Sequence, residues 1–111
     1  MSDQLGAVFA ALSDPTRRRM LDALMQDGMT SVPKLTSELP ITRQAVAKHL
    51  AALDQAGLIE RIDPRPPGRE VRYQLRPHGL REAADWLTQA DVAWEQRLAR
   101  LKQVVEGKVK T

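Results

Sequence analysis

Cysteine is absent from the 111 residues, which excludes a disulfide framework, a thiolate nucleophile and a soft-metal cluster. Histidine occurs only at positions 49 and 78, and with scattered serines this leaves no recognisable catalytic constellation. An enzyme is therefore not expected, nor a cofactor or a bound metal. Long apolar runs are missing as well: the stretch from Val8 to Leu12 is far too short to span a bilayer. No signal peptide or transmembrane run is found, so a cytoplasmic protein without a membrane partner is expected. What remains is ordinary globular composition, 42% hydrophobic and 28% charged, enough for a single domain over residues 1–111 with a core of its own.

The formal net charge is only +3, and its position matters more than its size. Between Ile41 and Arg76 lie seven basic residues (Arg43, Lys48, Arg61, Arg65, Arg69, Arg72, Arg76) against four acids (Asp54, Glu60, Asp63, Glu70), while the other 75 residues carry ten of each sign. All of the excess thus falls on one third of the chain, the footprint of a polyanion site.

That third begins with ITRQAVAKHLAALDQAGLI, Ile41 to Ile59. Thr42 is placed to N-cap a helix and Gly57 to end it in a left-handed conformation. At 100° per residue Val46, Leu50 and Leu53 share a narrow arc, and Gln44, Lys48, Ala51 and Gln55 point the other way. The outward face is small, polar and basic, with no acid before Asp54, and its first turn carries Arg43 and Gln44. Those residue types make bidentate hydrogen bonds to guanine and adenine edges. Upstream, Val32, Leu35 and Leu39 give a short helix with Pro33 in its first turn, and Leu39-Pro40-Ile41 forms a tight joint. The pair is a helix-turn-helix, or two packed surface helices of a small α domain.

Two further helices are expected before it. Leu5, Val8, Phe9 and Leu12 form one apolar face after Ser2. Asp14 as N-cap and Pro15 at the first helical position start a second helix, with Met20, Leu21, Leu24 and Met25 inward and Gly28 closing it. Arg17, Arg18 and Arg19 sit where cations oppose the helix dipole, as phosphate contacts or as ion-pair partners.

After Gly57 the period changes to two, in Leu58 to Asp63 and Arg69 to Leu75, which implies two strands. Between them Pro64-Arg65-Pro66-Pro67-Gly68 makes a stiff hairpin tip flanked by Arg65 and Arg69. A helix-turn-helix followed directly by a basic hairpin is the winged variant of that fold, mainly α with a small β-hairpin wing.

The sequence here resembles the ArsR family of small winged-helix bacterial transcriptional repressors, along nearly its whole length. The resemblance rests on Ala11 through Arg17 (ALSDPTR), Gln44 through Leu50 (QAVAKHL), Leu53 through Ile59 (LDQAGLI) and Gly68 through Tyr73 (GREVRY). It implies a symmetric dimer that occupies an operator in double-stranded DNA and leaves it when an inducer binds. Carried over by position, DNA contact falls on Thr42, Arg43, Gln44 and Lys48, with His49 beside them and Arg65, Arg69 and Arg72 on the wing. His49, at the edge of the apolar arc, is expected to be partly buried and structural rather than reading. Two departures stand out. Ala47 occupies a position where the family often has Ser. The cysteine pairs that metal-responsive members carry in the helix before the reading helix are missing from Val32 to Leu39, and a final helix starting at Leu80 has no histidine. The resemblance is thus to the branch without metal-ligand cysteines. It leaves the inducer unknown.

Residues 80–106 have the composition of one long helix. Leu80, Ala84, Leu87, Asp91, Trp94, Leu98, Leu101 and Val105 alternate at spacings of four and three, the seam of a helix that packs lengthwise on another. Asp91 and Glu95 are expected to pair with Arg97 and Arg100. Its first two turns cover the chain's own core, and beyond them a second copy is the expected partner. In the resembled family the first and last helices make the dimer, which implies an interface of Leu5, Val8, Phe9, Leu87, Trp94, Leu98, Leu101 and Val105. The rival function is a winged-helix protein-interaction adaptor without DNA affinity, since fold alone does not prove DNA binding.

Overall fold

The computed structural model describes residues 3–109, and side chains as far as Gly107. Ser2, expected ahead of the first helix, lies outside that range. The elements in order are α1 (Asp3–Leu12), α2 (Pro15–Asp27), β1 (Met29–Thr30), α3 (Val32–Glu38), α4 (Arg43–Gln55), β2 (Ile59–Ile62), β3 (Arg72–Leu75) and α5 (Pro77–Val109).

Local chemistry explains the boundaries. The Asp14 carboxylate accepts from the backbone N–H groups of Thr16 and Arg17 at 2.8 and 3.1 Å, with Pro15 in the first turn of α2. Ser31 and Thr42 cap α3 and α4 in the same way, accepting from Lys34 N–H at 3.2 Å and Ala45 N–H at 3.1 Å. At the far end of α4, Leu58 N–H donates to Leu53 O and Gly57 N–H to Asp54 O, the paired bonds of a Schellman turn. That turn needs a positive φ, and Gly57 supplies one of 76°. Because Leu58 N–H closes the helix, strand pairing starts only at Ile59.

The sheet has the order β1-β3-β2, all antiparallel, with Ile59 opposite Leu75, Arg61 opposite Tyr73 and Thr30 opposite Tyr73. The two hairpin strands are shorter than the period-two stretches that announced them. β1 was not expected at all, because two residues carry no periodicity.

The core is aliphatic. Met20, Leu24, Leu35, Val46, Leu50, Leu53, Leu58, Ile59 and Val8 are fully enclosed, each burial contributing about 1.5–3 kcal/mol. Two expectations are corrected here. Met25 is 57% exposed instead of facing inward, and Leu5 and Val8 are buried within the protomer. α5 crosses them and its first turns cover them, which leaves Val8 no surface and Leu5 very little for a second copy.

α5 starts at Pro77, earlier than Leu80, which brings His78 onto it; the His78 ring lies 3.3 Å from the Glu82 carboxylate. Its N-terminal part lies close against the α4–β2 turn. A Cβ at Gly79 would come within 3.1 Å of Leu58 Cδ2 and 3.3 Å of Gly57 O. Ala83 is buried and Leu80 packs on the core, but every residue from Ala84 to Gly107 is exposed. The helix, roughly 50 Å long at 1.5 Å per residue, therefore projects as an arm. The radius of gyration is 20.2 Å with extents of 77 × 26 × 23 Å, against about 13 Å for a compact chain of this length. The ion pairs expected of Asp91 and Glu95 with Arg97 and Arg100 do not form among the described residues; the arm instead pairs Lys102 with Glu106 at 3.9 Å. The helix continues through Lys108 and Val109.

Candidate nucleic-acid interface

α4 turns its apolar stripe of Val46, Leu50 and Leu53 fully into the core, which forces the opposite face outward. Arg43, Gln44, Ala47 and Lys48 are exposed along its first two turns. Arg43, Gln44 and Lys48 have no intramolecular hydrogen bond or ion pair among the described residues, so their donors are free for an external acceptor. Thr42 is different: its hydroxyl oxygen accepts from Ala45 N–H as the helix cap, and its proton stays available to donate to an external acceptor. Ala47 between them is small, so the helix surface can approach a groove floor closely.

The hairpin carries the second basic group. Arg65, Arg69 and Arg72 are exposed and line a shallow cleft with Asp63, Pro64 and Glu70. None of the three arginines is ion-paired among the described residues. Arg61, by contrast, is held by Asp63 at 2.8 Å, a bond that raises its already high pKa. Arg76 lies 3.4 Å from Glu60. Of the seven basic residues that make up the local excess, five are therefore free, two on α4 and three on the wing.

His49 is half-buried and faces α2, where its Nδ1 accepts from Arg17 Nε at 3.2 Å. Arg18 donates to Leu12 O at 2.5 Å. Two of the three arginines at the start of α2 thus have structural partners. The Arg17–His49 bond escaped the sequence reading; its one signal was the place of His49 at the edge of the apolar arc. Asp14, beside them, has its pKa lowered, chiefly by the Arg17 backbone N–H and then by the Thr16 N–H and the Arg17 charge, against the opposing effect of burial.

On α5, Leu87, Trp94, Leu98, Leu101 and Val105 are 40–59% exposed, and Phe9 on α1 is half-buried against Trp86. Among the described residues no cluster of three or more His, Asp or Glu could hold a metal ion.

Comparison with known proteins agrees with this architecture. A family described as a helix-turn-helix domain matches residues 12–62. The HTH-type transcriptional regulator Rv2034 of Mycobacterium tuberculosis is 36% identical over 97 residues, 87% of this chain and 84% of that protein. The arsenical resistance operon repressor of Escherichia coli is 30% identical over 90% of this chain and 80% of its own length. A solved ArsR-like transcriptional regulator from Rhodococcus sp. RHA1 superposes with a TM-score of 0.83 at 41% identity, covering 94% of this chain and 92% of the other. With an exposed basic helix, a basic wing and relatives matched over most of their length, the chain belongs to the ArsR family of winged helix-turn-helix, DNA-binding transcriptional regulators.

Proposed function

We propose that this regulator is a homodimeric repressor that occupies an inverted-repeat operator and does not sense metal through cysteines. Residues 1–111 act as one DNA-binding unit in the cytoplasm, and residues 80–106 supply its dimerisation arm. Arg43, Gln44 and Lys48 contact base edges and phosphates in the major groove, Thr42 donates its hydroxyl proton to a phosphate, and Arg65, Arg69 and Arg72 hold the backbone from the wing. The observation that carries this reading is the outward face of the first turns of α4, which carries no acid before Asp54 and whose Arg43, Gln44 and Lys48 side chains have no internal partner among the described residues. Repression is supported by relatives whose names state it, among them the transcriptional repressor SdpR of Bacillus subtilis, 34% identical over 72% of this chain and 84% of that protein.

Homodimerisation is supported by the exposed apolar band on α5. His49 has its Nδ1 committed to Arg17 and is structural in this proposal, not a reader. No described helix is long and apolar enough to cross a membrane. The test is fluorescence anisotropy on genomic fragments across a salt series, with a reporter behind each retained fragment. Tight retention of a few fragments, and a reporter silenced by the protein, are expected. Absence of any duplex affinity would favour the adaptor instead, and activation of the reporter would remove the repressor assignment.

A further inference from the structure

The burial that seats α4 is aliphatic and non-directional: Val46, Leu50 and Leu53 hold the helix against the body, but such contacts carry no directional bond. Base-edge recognition demands more, because bidentate hydrogen bonds tolerate displacements of only about 0.5 Å. Among the described residues, one side-chain hydrogen bond ties the middle of α4 to another element. Arg17 Nε donates to His49 Nδ1 at 3.2 Å across a separation of 32 residues. Its α2 end is itself anchored, since the Arg17 backbone N–H donates to the Asp14 carboxylate at 3.1 Å. A guanidinium has no acceptor, so His49 Nδ1 must present its lone pair and the ring proton must reside on Nε2. Arg17 thus selects the tautomer as well as the position of the ring next to Lys48.

We propose that Arg17 is a positioning residue for operator recognition: through His49 it sets the roll of α4 and hence the register of Arg43 and Gln44 against base edges. The proposal rests on α4 being the reading helix. It differs from a phosphate contact by Arg17, which would depend on charge and not on geometry.

The test uses the full chain with Arg17→Lys, Arg17→Gln, His49→Gln and the Arg17→Gln/His49→Gln double variant, each checked for helix content and thermal midpoint. Affinity for the retained operator and for a random duplex is measured across a salt series, and imidazole ¹⁵N spectra are recorded without DNA. Both Arg17 variants should lower the operator-to-random affinity ratio by about tenfold, the scale of one lost bidentate contact, with the salt slope of Arg17→Lys unchanged. His49→Gln keeps an acceptor for Arg17 and should stay within about threefold of wild type, and the double variant should be no worse than Arg17→Gln, as coupling requires. The ¹⁵N spectrum should report the Nε2–H tautomer in wild type and a mixture in Arg17→Gln. Wild-type discrimination in Arg17→Lys, independent losses in the double variant, or a lowered midpoint with the ratio intact would each overturn the proposal. If the wild-type chain does not distinguish operator from random duplex, the assignment of α4 as the reading helix fails first, and this proposal with it.

Discussion

Phe9 on α1 and Trp86 on α5 meet edge to face, ring centroids 5.5 Å apart and planes inclined by 69°. This contact marks where α5 stops serving its own protomer. N-terminal to it Ala83 is buried and Leu80 packed; C-terminal to it the apolar residues are exposed. An edge-to-face pair adds about 0.5–1.5 kcal/mol beyond the burial itself. Trp86→Ala should therefore destabilise the fold by roughly 1–3 kcal/mol in urea unfolding. A change below the error of that measurement would mean that the base of the arm is held elsewhere.

The helical part of this architecture was legible because its signals are redundant. Asp14-Pro15, Thr42 and Gly57 each announce a helix boundary in the same places as the apolar period, and all three act as expected. The misses have physical causes. β1 is a two-residue strand that exists only because β3 offers it an edge, a tertiary fact invisible to periodicity. Pro77 at the first helical position was a usable signal for the earlier start of α5, but the alternation running through Leu75 masked it. Leu5 and Val8 were assigned to a partner because amphipathicity tells which face is covered and not by what. In the candidate interface, the exposure of Arg43, Gln44 and Lys48 followed from helical phase. The bond drawing His49 toward Arg17 depends on how α2 packs beside α4, which helical phase alone does not give.

The free arginines of the wing should act through phosphates. If each protomer neutralises about four phosphates and a dimer about eight, the slope of log affinity against log salt is about −7, nearly 10⁴ in affinity between 50 and 200 mM. Arg65→Ala and Arg69→Ala should weaken all duplexes alike and make the slope shallower. Slopes unchanged in both variants would take the wing out of the interface.

Sequence preference should sit instead on the first turn of α4. The Gln44 side chain is exposed and has no internal hydrogen bond among the described residues, so Gln44→Ala should leave the fold intact. It should cost about 1–3 kcal/mol on the operator and relax preference at one base pair per half-site. Equal losses on operator and random duplex would assign Gln44 to backbone contact.

Acid should probe the start of α2. The pKa of Asp14 is lowered, first by the Arg17 backbone N–H. A depressed carboxylate contributes stability that is fully present above its unfolded value of about 3.9 and is lost as pH falls through the folded value. The stability gap between wild type and Asp14→Asn should thus be widest near neutrality and close below about pH 4. A gap constant from pH 7 to pH 3 would show that the charge of the cap contributes nothing and only its hydrogen bonds matter.

The exposed band on α5 leads to the last expectation, an obligate dimer on a two-fold symmetric operator. Trp94, Leu98 and Leu101 are 54%, 40% and 59% exposed, beyond the reach of the chain's own core, and each Leu-sized side chain contributes about 1.5–3 kcal/mol when buried. Several of these on each of two copies suffice for a stable homodimer. Two-fold symmetry then presents two identical α4 helices. For both to enter the major groove on one face of B-DNA, the half-site centres must lie about 34–36 Å apart, or a multiple of that. Leu98→Asp would place a carboxylate in the buried seam, so light scattering should find monomers, and operator affinity should collapse while circular dichroism still shows the helical fold. Asp91 occupies the same seam without an intramolecular ion pair among the described residues, so a dimer must either leave it at a wet edge or pair it across the interface. A wild-type protein that is monomeric at micromolar concentration, yet holds its operator tightly, would rule out the dimer.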